Sequence, residues 1–377
     1  MIETVYRTAR PEERADMVDL ANYVFSQAHV PHDFKTLLPK TYADDAPDFS
    51  DWHYTAWQGN KIVSLIACRP EVMHFAEESL KCGLVGTVCV HYCHRSEGHM
   101  KKLMPMMIEA SREKGYDLLV LGGQRQRYNY FGFDKAGIVM NYRITRTNLR
   151  HCLSDLDTSC IELSPLTIEK PDEVDFARKL AMQQTVHSGR GETREDFIRY
   201  MHSWNLDCDI IRINGELAGY AYGAGCEIGL LNDEYYLAVV KKLFERYNED
   251  HITIRLSPED RERCAKLETL CEGFDIGCCE MVNVLNWKNV LQALLTYKAR
   301  YTVLTEGKKG YLIEGKPYCI SVKDNKVTVT EEETENAVVM DHMQATRYFF
   351  PLSKLAVNDD GNNWAPLPYY MTSADTF

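Results

Sequence analysis

The sequence predicts an α/β (α+β) fold made of more than one domain, and three observations carry that prediction. Gly83–Gly115 reads as a strand, a short basic turn with one glycine, and a helix. The order strand–turn–strand, helix, strand, helix, Gly-Phe-Asp occurs twice along the chain. From about Asn286 the pattern changes to short alternating strands between two helices. A chain of 377 residues, at roughly 150 per domain, holds two or three such units.

In chain order, Thr4–Thr8 is a short strand, and Pro11 opens an amphipathic helix to about Ser26. His29–Ser50 holds three prolines and little periodicity, so it reads as a long loop or broken helix of the kind that shapes a substrate mouth. Asp44, Asp45, Asp48 and Asp51 cluster there. The Gly59-Asn60 turn joins Trp52–Trp57 to Ile62–Cys68 as a hairpin. Gly83–Val90 is uncharged and β-branched, as a buried strand should be. Gly98 then opens a helix with Leu103, Met107 and Ala110 on one side, and Gly115 ends it. A glycine at a helix start lets main-chain N–H groups approach a ligand, and the helix N-terminus favours negative charge. With Arg95, Lys101 and Lys102 nearby, the turn asks for a phosphate.

After the strand Tyr116–Leu121 comes Arg127-Tyr128-Asn129-Tyr130-Phe131-Gly132-Phe133. Here the chain resembles the GNAT N-acetyltransferases, whose acetyl-CoA loop is Arg/Gln-x-x-Gly-x-Gly/Ala. Arg95 and Gly98 match that loop; Met100 departs from its usual small residue. The branch it is most similar to is the enhanced intracellular survival type. His94, Arg95 and Gly98 match that branch's His-Arg-x-x-Gly, and Tyr128, Phe131, Gly132 and Phe133 match its Tyr-x-x-Phe-Gly-Tyr/Phe. Phe377 matches its closing phenylalanine.

The resemblance implies tandem GNAT folds, each a mixed sheet flanked by helices, followed by a sterol-carrier-like α+β domain. The boundaries expected are 1–150 (catalytic), 151–285 (a degenerate second copy) and 286–377. The second copy has CEIGLLND, Cys226–Asp233, where the first has its basic loop, and acidic residues there would repel a pyrophosphate. Arg150–Asp157 is the expected linker between copies. The resemblance also implies a tail that returns to the first site and oligomerisation, often as a hexamer.

Composition narrows the function. A net charge of −12 argues against nucleic acid and anionic membranes as partners and suits a cationic small-molecule or peptide amine. No apolar run follows the N-terminal charges as in a signal peptide, and none reaches the ~18 residues of a membrane span. Thirteen cysteines with no C-x-x-C spacing read as reduced thiols in a cytoplasmic protein. No metal is expected: Cys278 and Cys279, adjacent in a strand, would point to opposite faces.

Amine acetylation from a thioester requires a neutral amine, a stabilised oxyanion and a protonated leaving thiolate. The resemblance assigns Val88, Cys89 and Val90 to the pantetheine arm by main chain, and Arg95, Ser96, Gly98, His99, Met100 and Lys101 to the pyrophosphate. It makes Tyr128 the general acid and the α-carboxyl of Phe377 the base, with Tyr130 the competing tyrosine. Asp375 and the Asp44–Asp51 cluster are alternative bases. Phe25, His29, Phe34 and Asp375 are expected to contact the acceptor: an aminoglycoside, a lysine or a polyamine-like amine. Two alternatives stay open. One is a catalytically drifted CoA-binding or scaffold protein, since Ser96 and Glu97 stand where relatives often carry basic residues. The other is a tandem acyltransferase using another acyl donor.

Overall fold

The structure, a computed structural model, describes residues 3–28, 30–189, 191–357 and 361–377. The first lobe runs β1 (Thr4–Thr8), α1 (Arg14–Ala28), α2 (Phe34–Leu37), α3 (Pro39–Tyr42), β2 (His53–Gln58), β3 (Lys61–Phe75), β4 (Glu78–Val90), α4 (His99–Glu113), β5 (Leu118–Leu121), α5 (Arg125–Tyr128) and β6 (Asp134–Ala136). Pro11–Glu13 is a 3₁₀ turn rather than the first turn of α1, with Glu13 turned in to pair with Arg7. The mouth segment is a broken helix, α2 and α3, split before Pro39.

The β3–β4 hairpin is longer than the sequence suggests, because Arg69, Pro70 and Glu71 interrupt the apolar pattern without ending the strand. Arg69 is buried, and its guanidinium donates to the Tyr200 hydroxyl at 2.6 Å; that hydroxyl in turn donates to Glu71 at 2.7 Å. A buried charge is tolerable when paired in this way.

The second lobe holds β7 (Val139–Thr145), α6 (Arg146–Cys152), β8 (Ile161–Pro165), α7 (Pro171–Met182), β9 (Val186–Ser188), α8 (Arg194–Met201), β10 (Cys208–Ile213), β11 (Glu216–Tyr222) and β12 (Glu227–Leu230). It continues with α9 (Tyr236–Tyr247), β13 (His251–Leu256), α10 (Arg261–Glu268), β14 (Phe274–Gly277) and β15 (Glu280–Val284). Of the expected linker, Arg150–Cys152 ends helix α6 and Leu153–Asp157 is turn and irregular chain. Asp233 and Glu234 stand at the start of α9, and Asp233 pairs with Arg263.

The lobes exchange strands. The first sheet has the order β1-β2-β3-β4-β5-β15-β6, so β15 from the second lobe lies between two strands of the first. Conversely, β7, which falls within the expected first unit 1–150, lies between β13 and β14, beside the sheet β12-β11-β10-β8. The limits of the sheets therefore do not fall at residues 150 and 285.

The last unit has α11 (Trp287–Tyr301), β16 (Gly307–Ile313), β17 (Lys316–Lys323), β18 (Lys326–Thr330), β19 (Val338–Met340) and α12 (His342–Phe349), with sheet order β18-β17-β16-β19. Its core runs continuously into the first lobe: Leu291, Ile320 and Leu367 share one cluster with Leu84, Val120 and Val282. The tail then threads between the lobes. Tyr369 accepts from the Ile138 N–H at 2.9 Å, and the Tyr370 hydroxyl donates to the Arg255 carbonyl at 3.1 Å.

Candidate active site

Strands β4 and β5 run parallel and pair only from Cys82–Val85 to Leu118–Leu121. Beyond Val85 they part. A bulge in β4 marks the point: Gly86 faces Ala67 and Cys89 faces Leu65, so Thr87 and Val88 together oppose one residue of β3. Thr87 has φ +47°, a conformation a β-branched residue adopts only when its surroundings enforce it. The enforcing contacts are buried. The His53 Nδ1–H donates to the Phe49 carbonyl at 2.7 Å, so Nε2 accepts from the Tyr42 hydroxyl at 2.9 Å, and Thr87 Oγ1 lies 2.6 Å from that same hydroxyl. Burial pushes the His53 pKa down to about 4, which keeps the ring neutral.

A cavity of about 730 Å³ fills the gap where the strands part. The two faces of the sheet differ there. Val85, Leu121 and Met281 belong to the core under α4, and Leu84, Val120 and Val282 belong to the core under the tail. Tyr128 packs with the α4 core and Phe377 with the tail core, and both line the cavity. The site is thus open on both faces of the sheet, with one aromatic residue at each.

Tyr128 closes α5, and its ring meets Phe133 edge-on at 6.5 Å. Its phenol makes no hydrogen bond among the described residues, and burial raises its pKa. Tyr130 is 76% exposed and does not line the cavity. Phe25 and Phe34 stand in the cavity wall, their ring centroids 5.1 Å apart. The expectation for His29 lies outside the described residues. Val88 lines the cavity, whereas the Cys89 side chain is buried under α1 and its carbonyl accepts from Ser64 at 2.8 Å.

At the end of β4, Ser96 and Gly98 both take left-handed conformations, φ +73° and +82°, which turns the chain into α4. The N–H groups of Ser96, Glu97, Gly98, His99 and Met100 meet no acceptor among the described residues. Free N–H groups at a helix start suit a pyrophosphate. The side chain of His99 is not available for that purpose: it is buried between Tyr6, 2.9 Å from Nδ1, and Glu97, 3.1 Å from Nε2. Glu97 also accepts from Gln58 at 2.8 Å and lies 3.1 Å from His94. Arg95 lies over the Tyr92 ring, and Lys101 is exposed on the first turn of α4.

Two expectations are corrected. Asp375 does not reach the cavity: it is fully buried, and its carboxylate accepts from Ser188 at 2.5 Å and from Thr372 at 2.8 Å. It fastens the tail rather than the acceptor. The aspartates of the mouth segment also lie outside the cavity. Asp44 pairs with Lys35, Asp45 pairs with Arg199, and Asp48 accepts from Ser50. The sequence reading missed the lining from the second lobe and the tail: Trp204, Leu206, Arg255, Glu280, Met371 and Ser373. One signal was present, a charged Glu280 in register with the core residues Val282 and Val284.

Residues 5–136 match the model of the acetyltransferase (GNAT) domain. This part of the chain is a GNAT acetyltransferase domain. The likeness of fold extends further: solved structures of similar fold cover nearly the whole chain. A probable N-acyltransferase from Enterococcus faecalis gives a TM-score of 0.64 at 15% identity, over 92% of this chain and 90% of its own. A GCN5-related N-acetyltransferase from Anabaena variabilis gives 0.63 at 13%, over 90% and 88%. Eis1 from Mycobacterium abscessus gives 0.60 at 13%, over 90% and 88%. Comparison with curated protein sequences finds no match. The chain is an acetyltransferase of mixed α/β architecture with GNAT-like folds. No helix among the described residues is long and apolar enough to cross a membrane.

Proposed function

We propose that the protein is an acetyl-CoA-dependent N-acetyltransferase of the enhanced intracellular survival type, passing the acetyl group directly to a primary amine in a ternary complex. One observation carries this reading: the cavity at the β4–β5 gap has a free phenol, Tyr128, on one face and the end of the tail, Phe377, on the other.

Acetyl-CoA would supply an activated thioester. The N–H groups from Ser96 to Met100 are suited to its pyrophosphate, and the unpaired edge of β4 from Thr87 to Val90 to its pantetheine arm. A main-chain N–H of that edge is suited to the developing oxyanion. The α-carboxyl of Phe377 accepts the amine proton, and Tyr128 donates its proton to the departing sulfur. Burial raises the Tyr128 pKa, which keeps the phenol protonated and ready to donate. Phe25 and Phe34 wall the acceptor side.

A second reading, a CoA-binding protein without turnover, is favoured by one feature: the Glu97 carboxylate lies in the anion-binding loop, held by Gln58, His94 and His99. Thiol release from acetyl-CoA and from longer acyl-CoAs, tested with amino acids, aminoglycosides, polyamines and lysine peptides, separates the readings. Acetyl transfer to at least one amine, lost in Tyr128→Phe, is the expected result. Tight CoA binding with no turnover on any amine favours the second reading. Preference for a longer acyl-CoA assigns a different donor.

A further inference from the structure

The second lobe contributes two charged side chains to the cavity, and neither has an ion-pair partner among the described residues. Glu280 stands on β15 with the parity of Val282, so its carboxylate faces the tail side of the sheet. Its Oε2 lies 3.2 Å from where a β-carbon on Gly122 would stand, at the end of β5. It makes no hydrogen bond and no ion pair among the described residues, and burial raises its pKa against the pull of Lys135 and Arg255. Arg255, on β13, donates one bond to Ser373 Oγ at 3.3 Å and has no carboxylate within ion-pair distance among the described residues. Both side chains line the cavity.

Charges on groups withdrawn from water are favourable only when partnered. The charged side chains around this cavity carry both signs: Arg127 and Arg255 against Glu280, with His32 beside them. Asp44, Asp45 and Asp48 of the mouth segment are engaged elsewhere. Between the two charges the walls are apolar, with Phe25, Phe34, Trp204 and Leu206.

We infer that Glu280 and Arg255 form the recognition pair for a zwitterionic acceptor of the amino-acid class, the amino group toward Glu280, the carboxylate toward Arg255 and an apolar side chain against the aromatic wall. This deepens the acetyltransferase reading and rests on it for the fate of the amine.

The test is calorimetric binding to the CoA-loaded full chain of matched probes: phenylalanine against phenethylamine, leucine against isoamylamine, and lysine against cadaverine. Binding of each amino acid at least ~10-fold tighter than its decarboxylated partner is expected. Arg255→Gln should abolish that difference, Arg255→Lys should retain part of it, and Glu280→Gln should weaken both members of each pair. CoA affinity and Tm of each variant establish that it is folded. Equal or weaker binding of the amino acids, no binding of any amino acid, or discrimination that survives in Arg255→Gln overturns the inference. Amino acids that bind with this dependence but are never acetylated would contradict the acetyltransferase reading instead, and acetylation confined to decarboxylated amines would contradict only the recognition pair.

Discussion

The ring of Phe377 lies against the backbone of Gly86, so close that a β-carbon on residue 86 would stand 2.0 Å from the phenylalanine Cδ1. The last residue of the tail is therefore seated where β4 and β5 part, and the absence of a side chain at Gly86 makes that seat. Gly86→Ala should expel the ring while leaving the loop at Gly98 untouched. The expected outcome is a fall in kcat of about 10²-fold, as for a small misplacement of reacting groups, with acetyl-CoA affinity retained. Steady-state kinetics beside calorimetric CoA binding checks both halves.

Tyr128 should behave as an acid that acts only in the transition state. Tyr128→Phe is expected to lower kcat by about 10²–10³-fold with little change in KM. Because burial raises its pKa, the phenol stays protonated below its ordinary value of about 10. The wild-type rate should therefore show no loss from this group up to that pH, which a pH–kcat profile tests.

Lys40 is buried, and its ammonium donates to the carbonyls of Ala374, at 3.0 Å, and Thr376. It ties α3 to the final turn of the tail. Lys40→Met leaves those carbonyls without their donor, at a cost of about 1–3 kcal/mol, and frees the end that carries Phe377. A lower Tm together with reduced kcat, both partly recovered in Lys40→Arg, is the expected result.

His53 makes stability pH-dependent. Its folded pKa of about 4 lies below the ordinary value of 6.5. Between those values the unfolded chain holds the proton more tightly, so stability falls as pH drops from 6.5 through 4. A difference of about 2.5 units corresponds to about 3 kcal/mol at most. Urea unfolding at pH 7 and pH 4.5 should show a smaller pH dependence in His53→Gln than in the wild type.

Local signals were legible in the sequence, and pairings between distant segments were not. Gly98 and its flanking basic residues announced the loop, and Gly59-Asn60 announced a hairpin, because turn chemistry is written in adjacent residues. Phe25, Phe34, Tyr128 and Phe377 do meet in one cavity. The exchange of β7 and β15 was invisible, since alternation shows which face of a strand is buried but not which strand lies beside it. Arg69 looked like the end of a strand because its partner Tyr200 is 131 residues away. The aspartates from Asp44 to Asp48 stood as alternative bases because Lys35 and Arg199, which neutralise Asp44 and Asp45, become their neighbours only on folding. Arg255 and Glu280 reach the cavity from the second lobe for the same reason.

The most direct measurement is kcat for acetyl transfer by the chain with Phe377 removed, alongside its acetyl-CoA affinity. If the seat on Gly86 holds a catalytic group, kcat falls by at least about 10²-fold while CoA binds as before. An unchanged kcat would contradict the account and take the tail out of the chemistry.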